Sequence, residues 1–135
     1  MTSSPNKVAG VLVKCRDKVL LLKRSINGAE LQGYWSVPCG TVEKGENMWA
    51  GAARELYEET FITTKYELQY INHFKIKNNR QFYCYLYSVS KEVKPDIISA
   101  PDGYEHNEWG YFPISSLPEP IDPKLKKAIF IAEKM

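Results

Sequence analysis

With 44% hydrophobic and 25% charged residues over 135 positions, the chain carries enough apolar side chains for one packed core. That composition lies in the globular range rather than the disordered one, and the length suits a single domain over residues 1–135 rather than two. A formal charge of +2 is too weak a field to demand nucleic acid as a partner.

Cys15, Cys39 and Cys84 are odd in number and contain no CxxC pair, so neither a disulfide framework nor a zinc site is indicated. The opening MTSSPNK lacks a signal pattern, and no apolar run approaches the roughly 18 residues of a membrane span. The expectation is a soluble cytoplasmic protein with no membrane partner, a monomer or a homodimer.

In chain order, KVAGVLVK (7–14) and KVLLLKR (18–24) are branched apolar runs separated by CRD, which predicts a hairpin. SINGAELQGY is a polar loop, WSVPCG a short strand ended by Pro38 and Gly40, and TVEKGE a loop. Asn47 to Thr60 has a helical pattern. At about 100° per residue, Trp49, Ala53, Leu56 and Thr60 share a core face, with Glu55, Glu58 and Glu59 roughly opposite. KYELQYINHFKIK (65–77) and RQFYCYLYSVS (80–90) predict a second hairpin turning at Asn-Asn. KEVKPDIISAPDGYEHNE follows as a loop and WGYFPI as a short strand. DPKLKKAIFIAEKM closes the chain as an amphipathic helix with Pro123 in its first turn.

Glu55, Glu58 and Glu59 fall within reach of one point on the helix and repel one another there. A solvated acidic face tolerates this, because each like-charge pair costs only a few tenths of a kcal/mol. The wider spacing favours a different reading. Gly40, Glu46 and the run Arg54-Glu55-Leu56-Tyr57-Glu58-Glu59, with Ile62 beyond, fix six residue identities that coincide by chance at on the order of one in ten million starts.

This pattern resembles the Nudix box, the signature of the Nudix hydrolases. The resemblance implies an α+β fold, the Nudix-type α/β/α sandwich around a mixed β-sheet, and a metal-dependent pyrophosphohydrolase of the MutT-like kind. It implies Mg²⁺ as cofactor, with Mn²⁺ a substitute, and a small-molecule nucleotide as substrate. Glu55, Glu58 and Glu59 become the metal set, with Glu55 also a candidate to orient or deprotonate the attacking water. Cys39 contributes a main-chain carbonyl to the metal, while its thiol is read as structural. Arg54 pairs with Glu46 across the loop that starts at Gly40. Arg24 is placed to hold a substrate phosphate, and Glu105, with Glu108 as rival, to bring a further carboxylate. One position departs from the box: Phe61 stands where the family has Gly at the helix exit, which implies a glycine-favoured backbone adopted at a steric cost.

His73 and His106 lack metal-ligand spacing and read as packing or surface residues. Trp109, Tyr111 and Phe112 read as core rather than as a base-stacking surface. The expected reaction is hydrolysis of a nucleoside diphosphate linked to X, first a (d)NTP or oxidised dNTP giving NMP and pyrophosphate. ADP-ribose, nucleotide sugars and dinucleoside polyphosphates are the alternatives within that chemistry. A non-catalytic Nudix-like nucleotide-binding module is the alternative outside it.

Overall fold

Alternation along the first two strands requires cover on both sides of the sheet. In β1 (Ser3–Cys15) and β2 (Lys18–Arg24), Val8, Leu12, Val19 and Leu21 face one layer, while Ala9, Val11, Val13, Leu20 and Leu22 face the other. A sheet so apolar on both faces is stable only between two layers. The computed structural model, which describes residues 3–25 and 31–135, has that form. Helix α1 (Met48–Thr60) covers one face through Ala52 and Leu56, and α2 (Pro123–Glu133) covers the other through Leu125, Ala128, Ile129 and Ala132.

The sheet among the described residues is mixed. Strands β3 (Trp35–Ser36), β2, β1, β6 (Arg80–Val89) and β5 (Gln69–Ile76) run in that order, with β4 (Cys39–Glu43) paired to β1 and β7 (His106–Pro113) paired to β2. Among the described strands β1 and β6 are the pair that runs parallel, from Lys7↔Gln81 to Cys15↔Val89. This is the expected α/β/α sandwich.

Both predicted hairpins form. The first turns at Arg16, in the left-handed region, and the second at Asn78 and Asn79, where asparagine tolerates positive φ. Several boundaries differ from the sequence reading. Strand β5 starts only at Gln69, so 65–68 are not strand. Residues 39–43, read as the end of one strand and the start of a loop, form β4, because the long N-terminal half of β1 offers an edge that Cys39, Gly40 and Thr41 pair with. Strand β7 begins at His106 rather than Trp109. The loop expectation for 25–34 falls partly on 26–30, outside the described residues. Asp122 caps α2 by accepting from the Lys124 N–H at 2.8 Å, with Pro123 in the first turn as predicted. No helix among the described residues is long and apolar enough to cross a membrane.

Candidate active site

Helix α1 lies close on β1 and β4, and the close approach selects its residues. A Cβ on Gly51 would come within 2.9 Å of Glu46 Oε1, and one on Gly40 would come no farther than 2.5 Å from any carboxyl atom of Glu55. The helix phase therefore corrects the expected one. The face turned to the sheet is Gly51, Ala52, Glu55, Leu56, Glu59 and Thr60, whereas Trp49 is 37% exposed at the edge. Gly40 and Gly51 leave the space that the Glu55 and Glu46 carboxylates occupy, and Glu55 and Glu59 take the inward positions. Glu55 is 9% exposed and Glu59 only 1%, so the acidic cluster is not a solvated face.

Burial is the main cause that raises the Glu55 and Glu59 carboxyls above the ordinary range. No donor among the described residues reaches Glu59 Oε2. Buried carboxylates of this kind need a positive partner. Arg54 supplies part of it. Its Nε and Nη2 donate to Glu46 Oε2 and Oε1 at 2.8 and 3.1 Å, and its Nη1 donates to Glu55 Oε2 at 2.9 Å and Glu58 Oε1 at 3.1 Å. Nη2 also donates to the Thr41 carbonyl at 3.1 Å, and the Glu43 N–H donates to Glu46 Oε1 at 3.0 Å. The guanidinium hydrogen bond holds the Glu46 carboxyl below its usual range, and the pair clamps the Gly40–Glu46 segment over the helix as the box implied.

The helix exit matches its sequence reading. Phe61 takes the left-handed conformation, φ 64° and ψ 9°, and its N–H donates to the Tyr57 carbonyl at 2.8 Å. Beyond it the 91–105 loop folds back over the end of α1. The Asp96 N–H donates to the Thr60 carbonyl at 2.8 Å and the Asp102 N–H to the Glu58 carbonyl at 2.7 Å, satisfying carbonyls that a helix end leaves open. This docking brings in a residue the sequence reading missed. Carboxylate oxygens of Glu55, Glu58 and Asp102 all lie within 4.8 Å of one another. Asp102 sits in an Asp-Gly turn signal with no spacing to the helix, so nothing in the sequence marked it.

Glu105 lines the same cleft as Cys39, Gly40, Glu55 and Asp102, and it also lines the adjoining cavity with Arg24. Its carboxyl is raised, chiefly by burial. Glu108, the rival, is exposed on β7 opposite Lys23 and lines neither cleft. Cys39 opens β4 with its thiol pushed up, mainly by burial, while its backbone N–H supports the ionised form of Glu59. His106 is fully buried, with Nε2 3.9 Å from Glu59 Oε1 and its pKa lowered by desolvation to about 4. Among the other aromatics, Trp109 and Tyr111 pack against the α1-side core and Phe112 against the α2-side core, as expected. His73 lies exposed on β5, stacked on Tyr83.

The donor set fits a divalent cation. It is composed of oxygens, it includes a buried carboxylate atom with no protein donor, and Gly40 leaves the space that Glu55 occupies. A family model described as NUDIX domain matches residues 4–131. The chain belongs to the Nudix hydrolases. Members of this family act on phosphoanhydride bonds with divalent metals. Nudix hydrolase 6 of Arabidopsis thaliana is 35% identical over 114 residues, covering 75% of this chain and 40% of the relative, so this Nudix domain spans less than half of that protein. An RNA pyrophosphohydrolase of Rhodopseudomonas palustris (strain BisB18) is 25% identical over 135 residues, 84% of this chain and 77% of the relative. The crystal structure of a MutT NUDIX hydrolase from Burkholderia pseudomallei matches with a TM-score of 0.75 at 21% identity, covering 94% of this chain and 97% of that one, a likeness of fold.

Proposed function

We propose that this Nudix domain is a Mg²⁺-dependent pyrophosphohydrolase, with Mn²⁺ an effective substitute, that cleaves a nucleoside diphosphate linked to X. The observation that carries the reading is the convergence of Glu55, Glu58 and Asp102 oxygens within 4.8 Å, beside a cavity lined by Arg24. Those three carboxylates, Glu59 through Oε2 and the Cys39 carbonyl would hold the ion. Bound there, the ion offsets phosphate charge and acidifies water.

The remaining chemistry belongs to the chain. Arg24, at the end of β2, holds a phosphate from the cavity side. Glu105 lines both clefts, and it is the better placed base, since Glu55 is held by Arg54. It takes a proton from the water that attacks phosphorus. The new O–P bond forms as the bridging P–O bond breaks, and the departing phosphate carries the electron pair. Glu46 and Arg54 position the loop, and Gly40 admits the Glu55 carboxylate.

A (d)NTP or oxidised dNTP, giving NMP and pyrophosphate, is the first choice of substrate. The cavity of about 440 Å³ has Phe74 and Phe82 in its lining, an apolar patch that suits a base. Arg24, Lys77, Arg80 and Lys124 also line it, against Glu105 and Asp122, which favours a triphosphate over a less charged diphosphate such as ADP-ribose. The same basic lining, with the similarity to an RNA pyrophosphohydrolase, supports a second reading in which the triphosphate is the 5′ end of an RNA.

The test is a panel of (d)NTPs, 8-oxo-dGTP, ADP-ribose, diadenosine polyphosphates and a 5′-triphosphorylated oligonucleotide under Mg²⁺ and Mn²⁺. Turnover that disappears in Glu59→Gln is the expected result. Saturable nucleotide binding with no turnover anywhere in the panel refutes the hydrolase and leaves the binding module.

A further inference from the structure

The mechanism does not use His106, and its surroundings are unusual for a residue that merely fills space. Its side chain is 0% exposed, and neither Nδ1 nor Nε2 has a hydrogen-bond partner among the described residues. An apolar side chain would fill the same volume without leaving a buried donor and a buried acceptor unpaired. The position is also tightly set. His106 opens β7 where the β2–β7 register shifts between Lys23 and Arg24. The residues before it are tied to the end of β2, with the Ser25 N–H donating to the Glu105 carbonyl at 2.9 Å and Ser25 Oγ to the Tyr104 carbonyl at 3.2 Å. The backbone thus delivers the ring beneath α1, where Nε2 stands 3.9 Å from Glu59 Oε1. That gap exceeds a hydrogen bond by under about 1 Å, a distance that a small rotation of either side chain closes.

We propose that His106 is the positioning residue for Glu59: its Nε2–H donates to Glu59 Oε1 and leaves Oε2, the oxygen with no protein donor, to face the cation. The inference rests on the reading of Glu59 as part of the cation site. A ligand carboxylate anchored through one oxygen loses less freedom when the other binds, and outer-shell partners of this kind change metal affinity by about 10- to 100-fold when removed. Asp102 and Glu105 reach the site from the 91–105 loop, whereas His106 acts from the sheet beneath it.

The test uses the whole chain and three variants, with unfolding temperature followed as MgCl₂ or MnCl₂ is titrated in, so that no substrate is needed. In His106→Leu the half-saturating cation concentration rises by about 10- to 100-fold, while the unfolding temperature without cation holds or increases. His106→Gln, whose amide N–H reaches as Nε2 does, restores the wild-type midpoint to within about threefold. His106→Asn, which reaches only as Nδ1 does, stays weak, and the Gln and Asn pair decides the matter if the Leu variant does not fold. Equal midpoints in the wild type and His106→Leu overturn the inference, as does an equal loss in Gln and Asn. A wild-type protein with no saturable cation response overturns the cation-site reading itself, a result distinct from either.

Discussion

Gly40→Ala tests the site by adding a single methyl group. The new Cβ would lie no farther than 2.5 Å from each carboxyl atom of Glu55, where unstrained neighbours keep about 3.4 Å or more. Gly40 is held in register with Ala9 through the β1–β4 pairing, so the strand cannot easily withdraw, and the carboxylate must give way by about 1 Å. Such a shift carries Glu55 away from Glu58 and Asp102 and strains its 2.9 Å bond to Arg54. A misplacement of about 1 Å at a reacting centre costs on the order of 100-fold, or about 2.7 kcal/mol of barrier. Overpacking takes a further 1–3 kcal/mol or so from stability, which leaves most domains folded. The assay is kcat at saturating Mg²⁺ on the best substrate of the panel, with urea unfolding in parallel. A folded variant with kcat within threefold of wild type refutes the claim that the Glu55 carboxylate must occupy that space.

Four other outcomes follow from the same geometry. Asp102→Asn raises the half-saturating Mg²⁺ concentration about tenfold or more, whereas Glu108→Gln, on the exposed part of β7, leaves it within twofold; the reverse pattern in a cation titration removes Asp102 from the site. Arg54→Lys cannot keep a forked contact with Glu46 together with bonds to Glu55, Glu58 and Thr41, and it lowers unfolding free energy by about 2 kcal/mol in urea, against a null result below about 0.5. His106 is held neutral with its pKa lowered from 6.5 to about 4, so its contribution is intact above pH 6.5 and is lost as pH falls toward 4; relative to His106→Leu, wild-type stability drops by about 3 kcal/mol across that window, and a flat difference curve would sink the argument. Phe61→Gly removes a left-handed strain of about 1–2 kcal/mol but adds chain entropy and loses the ring contact with Tyr57 at 5.4 Å, so urea stability changes by less than about 1 kcal/mol and kcat by less than threefold; a tenfold gain in turnover would mean that the phenylalanine already impairs the site.

The inward positions of Glu55 and Glu59 explain why the helix was only half legible in the sequence. The spacing from Gly40 to Ile62 pointed to the family, whose members use divalent metals. Helical periodicity then assigned those carboxylates to solvent, since charge is ordinarily a surface signal. The structure turns Glu55 and Glu59 toward the sheet and leaves Trp49 37% exposed, with Gly40 leaving the space that the Glu55 carboxylate fills. Periodicity measures average preference for water, and a metal site is the circumstance in which a buried acid is favourable.

Asp102 and His106 were illegible for a different reason. Neither belongs to a side-chain pattern, and both are placed by hydrogen bonds to main-chain carbonyls: the Asp102 N–H donates to that of Glu58, and beside His106 the Ser25 N–H donates to that of Glu105 and Ser25 Oγ to that of Tyr104. The Asp102 bond also involves the helix exit at the box position held by Phe61. Its left-handed turn ends α1 and leaves the Glu58 and Thr60 carbonyls to the 91–105 loop, so the loop that carries Asp102 and Glu105 docks on the helix that carries Glu55 and Glu58. The spatial relation between the two sets of carboxylates is therefore set by the helix exit. A substitution there that changes the backbone path, such as Phe61→Pro, which cannot adopt φ 64°, has to displace Asp102 and Glu105 together, while Glu55 and Glu58 stay held by Arg54.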